Sequence, residues 1–332
     1  MHDMPRLILA PMEGLADDVL RDVLTRTQAY DWCVTEFIRV TGTVLPHSLY
    51  LRMSPELRHG SATPAGTMTR LQLLGSDPEM MARNAAHLAR LAPAGIDINF
   101  GCPAPLVNRH RGGAALLDEP ELLHAIVAAV RSAVPSTIPV TAKMRLGIID
   151  TSRALACAQA LEAGGAAELV VHARTRQDGY KPPARWEWLA QIREAVRLPL
   201  IANGEVWTVE DYFGIRSVSG CDDVMLGRGA VADPLLAMRI RKCIAAGAPA
   251  LPSDEDWAEV CELIAYFWRR VSEKLPPQHT PGRLKQWLGL IRRSYPQAEV
   301  LYAALREKRH GSDIRPILAA HGVAVDALKV AA

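Results

Sequence analysis

Short apolar runs recur along the first two thirds of the chain, and segments of helical periodicity separate them. The runs lie at residues 7–10, 32–37, 71–74, 96–100, 140–144, 169–172, 200–203 and 223–226. Helical spacing marks residues 79–91, 119–133, 152–163 and 186–195. Strands that alternate with helices predict a parallel sheet, and eight strands are the number that closes a (β/α)8 TIM barrel. An open, doubly wound sheet is disfavoured because no G-x-G-x-x-G follows the first run.

The carboxyl ends of all eight runs carry residues that are capable of chemistry or of ligand contact. In chain order they are Pro11-Met12-Glu13, Glu36, Gln72, Asn99 with Cys102, Lys143 with Arg145, His172 with Arg174, Asn203-Gly204-Glu205, and Gly227-Arg228-Gly229. Each one alone is compatible with a capping or hydrogen-bonding role. Because the carboxyl ends of barrel strands meet at one face, where such barrels carry their active sites, the whole series predicts a catalytic mouth.

The pattern becomes purely helical after a Gly/Pro-rich stretch at residues 247–252. Apolar residues at 257, 260, 261, 264, 267, 268 and 271, and again at 284, 287, 288 and 291, follow the i, i+3, i+4 spacing of a helix face that packs on a core. We therefore predict a barrel domain over residues 1–249 and a small helical bundle over residues 250–332.

The net charge of +2 is unevenly distributed. Residues 268–310 hold ten Lys or Arg side chains against three Glu, so this segment carries +7 and the rest of the chain about −5. A basic helical exterior beside a near-neutral barrel predicts a module that binds a polyanion. A solvated surface without a partner is the alternative.

Six cysteines are scattered without a C-x-x-C pair or a His/Cys cluster at metal-ligand spacing. This distribution favours neither a disulfide framework nor a zinc site. Residues 1–14 lack the features of a secretion signal, and no eighteen apolar residues run together. We therefore expect a monomeric cytoplasmic protein with reduced thiols, no bound metal and no membrane association.

Cys102 is the cysteine with the most informative surroundings. It lies two residues past the end of the run at 96–100, after Gly101, and Pro103 stiffens its turn. A free cysteine is usually a small buried hydrophobe, but a thiol at the outlet of a strand lies where a substrate can reach it. Since a thiol of pKa ~8.5 is mostly protonated at neutral pH, Cys102 is a candidate general acid.

The last two strand outlets are typical of phosphate binding. Glycines in Asn203-Gly204-Glu205 and Gly227-Arg228-Gly229 permit close approach of backbone N–H groups, and Arg228 adds a guanidinium. Lys143 would place positive charge against a ring system that becomes anionic on reduction. This combination favours flavin mononucleotide, FMN.

At this level of detail the chain resembles the bacterial tRNA-dihydrouridine synthases, and most of all the C subfamily, which acts on position 16 of the D-loop. The segments that carry the resemblance are APMEGLADDVLR at 10–21, CVTEFIRV at 33–40, RLQLLG at 70–75, DINFGCPAPLVNRHRGGAALL at 97–117, KMRLG at 143–147, VVHARTRQDGY at 170–180, IANGEVW at 201–207, VMLGRGA at 224–230 and GRLKQWL at 282–288. A single GCP or NGE is weak evidence, whereas the ordered set is specific.

The resemblance implies reduction of the C5=C6 bond of a uracil in folded tRNA, with FMN as the cofactor and NADPH as its reductant. Cys102 would donate the proton. The residues implied in flavin binding are Pro11, Met12, Glu13, Gln72, Lys143, His172, Asn203, Gly204, Glu205, Gly227 and Arg228. Residues 1–249 would then be the FMN-binding catalytic domain and residues 250–332 the tRNA-recognition domain.

Contacts with tRNA follow from the same resemblance. The candidates are Arg39, Asn99, Arg145, Tyr180, Arg283 and Lys285, with Asn99 placed to hydrogen-bond the uracil edge. Arg109, His110 and Arg111 add positive charge close after Cys102, where either phosphate contact or simple solvation is possible. A small-molecule flavin reductase is the nearest alternative, but it would have little use for a basic bundle. An RNA-binding protein with an inert barrel is the other, and bound flavin would exclude it.

Overall fold

In a computed structural model, residues 4–109, 111–247 and 256–325 are described. The chain forms two compact units. The first takes in the described residues within Met1–Asp18, Tyr30–Val206 and Glu210–Gly227, and the second those within Val19–Ala29, Trp207–Val209 and Arg228–Ala332. The predicted boundary at residues 249 and 250 lies outside the described residues.

Eight parallel strands close into a barrel in the first unit, which confirms the predicted fold. The strands are β1 (Leu7–Leu9), β2 (Trp32–Arg39), β3 (Met68–Leu74), β4 (Ile96–Phe100), β5 (Val140–Arg145), β6 (Leu169–His172), β7 (Leu200–Asn203) and β8 (Asp223–Leu226). Each pairs with the next, and β8 returns to β1 through the pairs Leu7 with Val224 and Leu9 with Leu226. The register between β2 and β3 shifts between Val34 and Phe37, which places the irregularity at Thr35 and Glu36.

Fourteen α-helices occur among the described residues. They are α1 (Asp18–Thr25), α2 (His47–Met53), α3 (Pro78–Ala89), α4 (Pro105–Arg109), α5 (Pro120–Ala133), α6 (Ala154–Ala163), α7 (Glu187–Ala195), α8 (Val209–Ser219), α9 (Arg228–Ala232), α10 (Leu236–Ala246), α11 (Asp256–Lys274), α12 (Thr280–Ile291), α13 (Pro296–Leu305) and α14 (Gly311–Ala320). Two short 3-10 helices cover Pro55–His59 and Gly113–Asp118. None of the described helices is long and apolar enough to cross a lipid bilayer.

The amino-terminal end of the barrel carries a network of ion pairs. Arg6 contacts Glu168 at 2.5 Å and Asp223 at 2.6 Å, and Arg70 pairs with the other oxygen of Glu168. The guanidinium carbons of Arg6 and Arg70 lie 4.9 and 4.0 Å from the ring centroid of Trp32. These charges neutralise one another, so they stabilise the barrel and leave its carboxyl-terminal end for chemistry.

The second unit has its own apolar core. The predicted stripe of Leu284, Trp287, Leu288 and Ile291 on α12 is buried, and the ring of Trp287 lies 4.8 Å from that of Phe267 on α11. The indole N–H of Trp287 donates to the carbonyl of Val231 at 3.1 Å. Phe267 and Trp287 therefore belong to the apolar core of this unit.

Candidate functional site

Cys102 lies in the loop that follows β4, where its side chain is 7% exposed and packs with Leu74, Val107 and Phe37. The backbone N–H groups of Gly101 and Cys102 donate to the side-chain oxygen of Asn99 at 2.9 and 2.8 Å. The strand end itself thus fixes the loop. A thiol in this position is shielded on its apolar side by Leu74, Val107 and Phe37.

A buried hydrogen-bond network holds Asn99 in turn. Its amide nitrogen donates to the side-chain oxygen of Gln72 at 2.7 Å, and the amide nitrogen of Gln72 donates to Asp97 at 2.6 Å. The other carboxylate oxygen of Asp97 accepts from the Thr141 hydroxyl at 2.6 Å. Burial raises the pKa of Asp97, although these hydrogen bonds oppose the rise. Three neighbouring strands thereby position the cysteine loop.

Sequence reasoning missed Asp97 and Thr141. The available signal was a carboxylate inside an otherwise apolar strand, Ile96–Phe100, because a buried charge requires hydrogen-bond partners. The same residues show that Gln72 and Asn99 shape the loop, whatever else they contact.

Gly113 supports Cys102 from behind. Its φ is +60°, and a Cβ placed there would lie 2.8 Å from the carbonyl oxygen and 2.9 Å from the Cβ of Cys102. A side chain at position 113 would therefore push the cysteine backbone as well as strain its own.

Lys143 rises from β5 beside the end of β7. Its ammonium donates to the side-chain oxygen of Asn203 at 3.0 Å, and the amide of Asn203 donates to the carbonyl of Met225 at 2.8 Å. No carboxylate lies within ion-pair distance of Lys143 in the part of the chain that the structure describes. Burial, together with the nearby charge of Arg145, lowers the pKa of Lys143 to about 8, against the opposing influence of Asp97. The half-buried ammonium of Lys143 is therefore suited to bind an electron-rich ligand.

Arg145, at the end of β5, ties three loops together. It donates to the carbonyls of Gly101 at 2.8 Å, Thr175 at 3.0 Å and Gly179 at 2.8 Å. Its guanidinium carbon lies 5.2 Å from the ring centroid of Tyr180, a side chain that is 53% exposed. The structure thus brings Arg145 and Tyr180 together beside the Cys102 loop.

The ends of β6 and β7 meet at Gly204. A Cβ on Gly204 would lie 2.9 Å from the His172 ring, and the φ of +121° is one that other residues rarely adopt. Glu205 also has a positive φ, of 61°, and its carboxylate pairs with the buried Arg174. The ring of His172 lies 6.2 Å from that of Tyr180. Strained backbone beside a strand end is a frequent companion of a binding site.

The loop after β1 completes the mouth of the first unit. The carbonyl of Met12 accepts from the N–H groups of Leu15 and Ala16 at 3.0 and 2.8 Å, so the segment Pro11-Met12-Glu13 begins a tight turn. The carboxylate of Glu13 extends from this turn, and its Oε2 lies 4.0 Å from the Sγ of Cys102.

Gly227 ends the loop after β8, and Arg228 begins α9 in the second unit. The guanidinium carbon of Arg228 lies 5.2 Å from the ring centroid of Trp207, and that of Arg293 lies 3.7 Å from the same centroid. Trp207 and Arg293 were not singled out from the sequence as site residues. The signal was the tryptophan two residues after the Asn203-Gly204-Glu205 turn.

The remaining candidates are spread over other surfaces. Arg39 ends β2 and is half-buried. Arg283 contacts Gln286, and the ammonium of Lys285 donates to the carbonyls of Arg306 at 3.3 Å and Lys308 at 3.0 Å. Arg111 pairs with Glu119 at 2.6 Å, whereas His110 lies outside the described residues.

No group of three or more metal-ligating side chains occurs within residues 4–109, 111–247 and 256–325.

A family model described as dihydrouridine synthase matches residues 8–301. The chain belongs to the dihydrouridine synthase family. The resemblance drawn from the motifs is thereby confirmed.

Relatives of this dihydrouridine synthase carry a more specific name. A protein of Ralstonia nicotianae called tRNA-dihydrouridine(16) synthase is 56% identical over 315 residues, which are 95% of each chain. One of Cupriavidus necator with the same name is 56% identical over 95% of this chain and 97% of its own. A solved 2-naphthoyl-CoA reductase in complex with 2-naphthoyl-CoA shares the fold, with a TM-score of 0.53 and 12% identity over 72% of this chain and 50% of that one.

Proposed function

We propose that this dihydrouridine synthase reduces the uridine at position 16 of the tRNA D-loop to 5,6-dihydrouridine, with FMN as the cofactor and NADPH as its reductant. Membership of the family and the names of relatives at 56% identity support the reaction and the position. The observation that carries the proposal is the Cys102 thiol, held at the barrel mouth by Asn99.

The donor set at the mouth fits a flavin. Lys143 is a half-buried cation without a carboxylate within ion-pair distance among the described residues, and an electron-rich ring edge would supply such a partner. The residues that would hold FMN are Pro11, Met12, Glu13, Gln72, Lys143, His172, Asn203, Gly204, Glu205, Gly227 and Arg228. When bound and reduced, FMN would supply the hydride that adds to C6 of the uracil.

Cys102 supplies the proton to C5. Burial raises the pKa of its thiol, and the negative charge of Glu13 adds to this rise, while the Ala104 backbone N–H and the charge of Arg145 oppose it. The thiol therefore remains protonated at neutral pH and acts as an acid rather than as a nucleophile.

A uridine stacked in a folded loop cannot reach the mouth, so the base must be extruded and the tRNA held by its backbone. We assign this holding to the basic helical domain, residues 250–332, beside the catalytic domain, residues 1–249. The residues proposed to contact tRNA are Arg39, Asn99, Arg145, Tyr180, Arg283 and Lys285.

The test is an assay of dihydrouridine on unmodified tRNA transcripts, mapped by position, with Cys102→Ala and Cys221→Ala as a matched pair. Both cysteines are buried in the first unit, but Cys221 lies just before β8, away from the mouth. We expect the wild type to modify position 16 and Cys102→Ala to lose about 10²–10⁴-fold in rate while it retains flavin. Cys221→Ala should behave as the wild type.

Product at a different D-loop position would contradict the positional assignment. Full activity of Cys102→Ala would contradict the proton step, and purified protein without flavin absorbance would contradict the cofactor. The three outcomes are read from the same preparations.

A further inference from the structure

The carboxylate of Glu13 lies within hydrogen-bond distance of the thiol that the reaction consumes. The Cys102 Sγ donates to Glu13 Oε2 at 4.0 Å. The two side chains differ sharply in exposure, since Cys102 is 7% exposed and Glu13 is exposed to solvent. Glu13 therefore reaches from the buried thiol to water.

Among the residues that the structure describes, the other side chains in contact with Cys102 are poor proton carriers. Leu74, Val107 and Phe37 pack against the thiol, and Arg145 cannot release a proton in the working pH range. Glu36, the nearest other carboxylate along β2, accepts the N–H of Gly14 instead. Of the two charged groups that act on the thiol among the described residues, Arg145 and Glu13, only Glu13 is an acid.

We propose that Glu13 is a proton relay that restores the thiol of Cys102 after each turnover. This inference rests on the proposed function, because it requires that Cys102 gives up a proton. It adds a proton-transfer role for the Glu13 side chain to the flavin contact assigned to this residue by resemblance.

The step balances without a further reagent. The S–H bond of Cys102 breaks as a C–H bond forms at C5 of the uracil. The Glu13 carboxylate then takes a proton from hydronium or a buffer acid and passes it to the Cys102 thiolate, which returns both groups to their starting states. Burial raises the pKa of Glu13 above its ordinary value, which moves this acid towards neutrality.

The first experiment measures alkylation of Cys102 by iodoacetamide in flavin-free protein across pH, with the alkylated site read by mass spectrometry. Glu13→Gln removes the negative charge beside the thiol, so its pKa should fall and alkylation at pH 8 should be about two- to fivefold faster. Glu187→Gln is the matched control, with the same chemical change at an exposed position on α7 and an expected rate close to that of the wild type.

The second experiment separates the first turnover from later ones. With pre-reduced enzyme, Glu13→Gln should form its first dihydrouridine within about threefold of the wild-type rate, because Cys102 starts protonated. Steady-state turnover should fall about tenfold or more, since water must then replace the relay. Added formate should restore turnover in Glu13→Ala and leave the wild type unchanged, which a merely structural role would not explain.

Wild-type steady-state turnover in Glu13→Gln would overturn the relay, as would an unchanged alkylation profile. Equal loss in the first and later turnovers, without rescue by formate, would also overturn it and assign Glu13 to flavin binding alone. If the wild type itself formed no dihydrouridine, the proposed function would fail. The alkylation profile would then still report whether the two side chains interact.

Discussion

The two ends of the barrel differ in whether every cation has a carboxylate partner. At the amino-terminal end, Arg6 and Arg70 share the carboxylates of Glu168 and Asp223. At the carboxyl-terminal end, no carboxylate lies within ion-pair distance of Lys143 among the residues that the structure describes. The charges at the amino-terminal end thus stabilise the barrel, whereas the ammonium of Lys143 at the carboxyl-terminal end is available for a ligand.

The largest expected effect tests the paired end. Glu168→Gln leaves Arg6 and Arg70 short of a partner in a largely buried place, so the free energy of unfolding should fall by about 3 kcal/mol. The specific activity of the folded protein should not change. Urea unfolding followed alongside the dihydrouridine assay measures both, with the exposed Glu187→Gln as the control. A loss of activity in folded Glu168→Gln would mean that the amino-terminal end of the barrel contributes to activity as well as to stability.

The same carboxylate gives this prediction a pH dependence. Burial alone would raise the pKa of Glu168, but the charges of Arg70 and Arg6 outweigh it, and the folded-state pKa is lowered. Its stabilisation is therefore fully present above the unfolded pKa of about 4.3 and is lost as the pH falls through the lower folded value. Acid unfolding should be steeper in the wild type than in Glu168→Gln.

The next effect concerns the unpaired end. Lys143→Met should weaken flavin binding about 10–100-fold, because a charged hydrogen bond is lost, yet leave the flavin-free protein as stable or more so. The ratio of flavin to protein absorbance after gel filtration measures retention, and Lys143→Arg is the control that keeps the charge. Unchanged retention in Lys143→Met would mean that this cation faces no ligand.

The titration of Lys143 sharpens that test. Its folded pKa of about 8 is below the unfolded value of about 10.4, so the unfolded chain binds more protons between these limits. The stability of the flavin-free wild type should rise as the pH increases from about 8 to about 10, and this rise should be absent in Lys143→Met. Flavin affinity should fall over the same range as the ammonium loses its proton.

The smallest effect lies in the second unit, where exposed cations would meet phosphate. Arg283→Ala and Lys285→Ala should each reduce the log–log salt slope of tRNA binding by roughly 0.7–0.9. Lys285 also donates to the carbonyls of Arg306 and Lys308, so its loss should cost a little stability as well. The exposed Lys242→Ala, on α10, is the control. Unaltered salt slopes for both variants would mean that Arg283 and Lys285 do not contact tRNA phosphates.

Much of the fold was predictable because apolar runs mark buried strands directly. Four of the eight predicted runs coincide with strand bounds, including Ile96–Phe100 and Asp223–Leu226. The shift in β2 near Glu36 and the helix His47–Met53 were not predicted. Both depend on tertiary context, since no local pattern distinguishes them from regular strand or loop.

The residues at the strand ends of the site were predictable from the sequence, but the hydrogen bonds between site residues were not. Strand-end position pointed to Cys102 and Lys143, because the barrel gathers such residues at one face. The hydrogen bonds that join Asn99 to Gln72 and Asp97 arise across strands 25 to 27 residues apart, which spacing along the chain does not reveal. The approach of Glu13 to Cys102 crosses 89 residues and needed coordinates.

Gly113 has a consequence for how this loop can vary. With a φ of +60° and atoms of Cys102 within 3 Å of where a Cβ would stand, any residue other than glycine at this position would be strained and would require Cys102 to shift. The lack of a side chain at residue 113 therefore sets the position of the Cys102 thiol at the mouth of the barrel. In a saturation library at residue 113, many variants should fold. Only the protein with glycine should keep the Cys102 sulphur at its present distance from the Glu13 carboxylate.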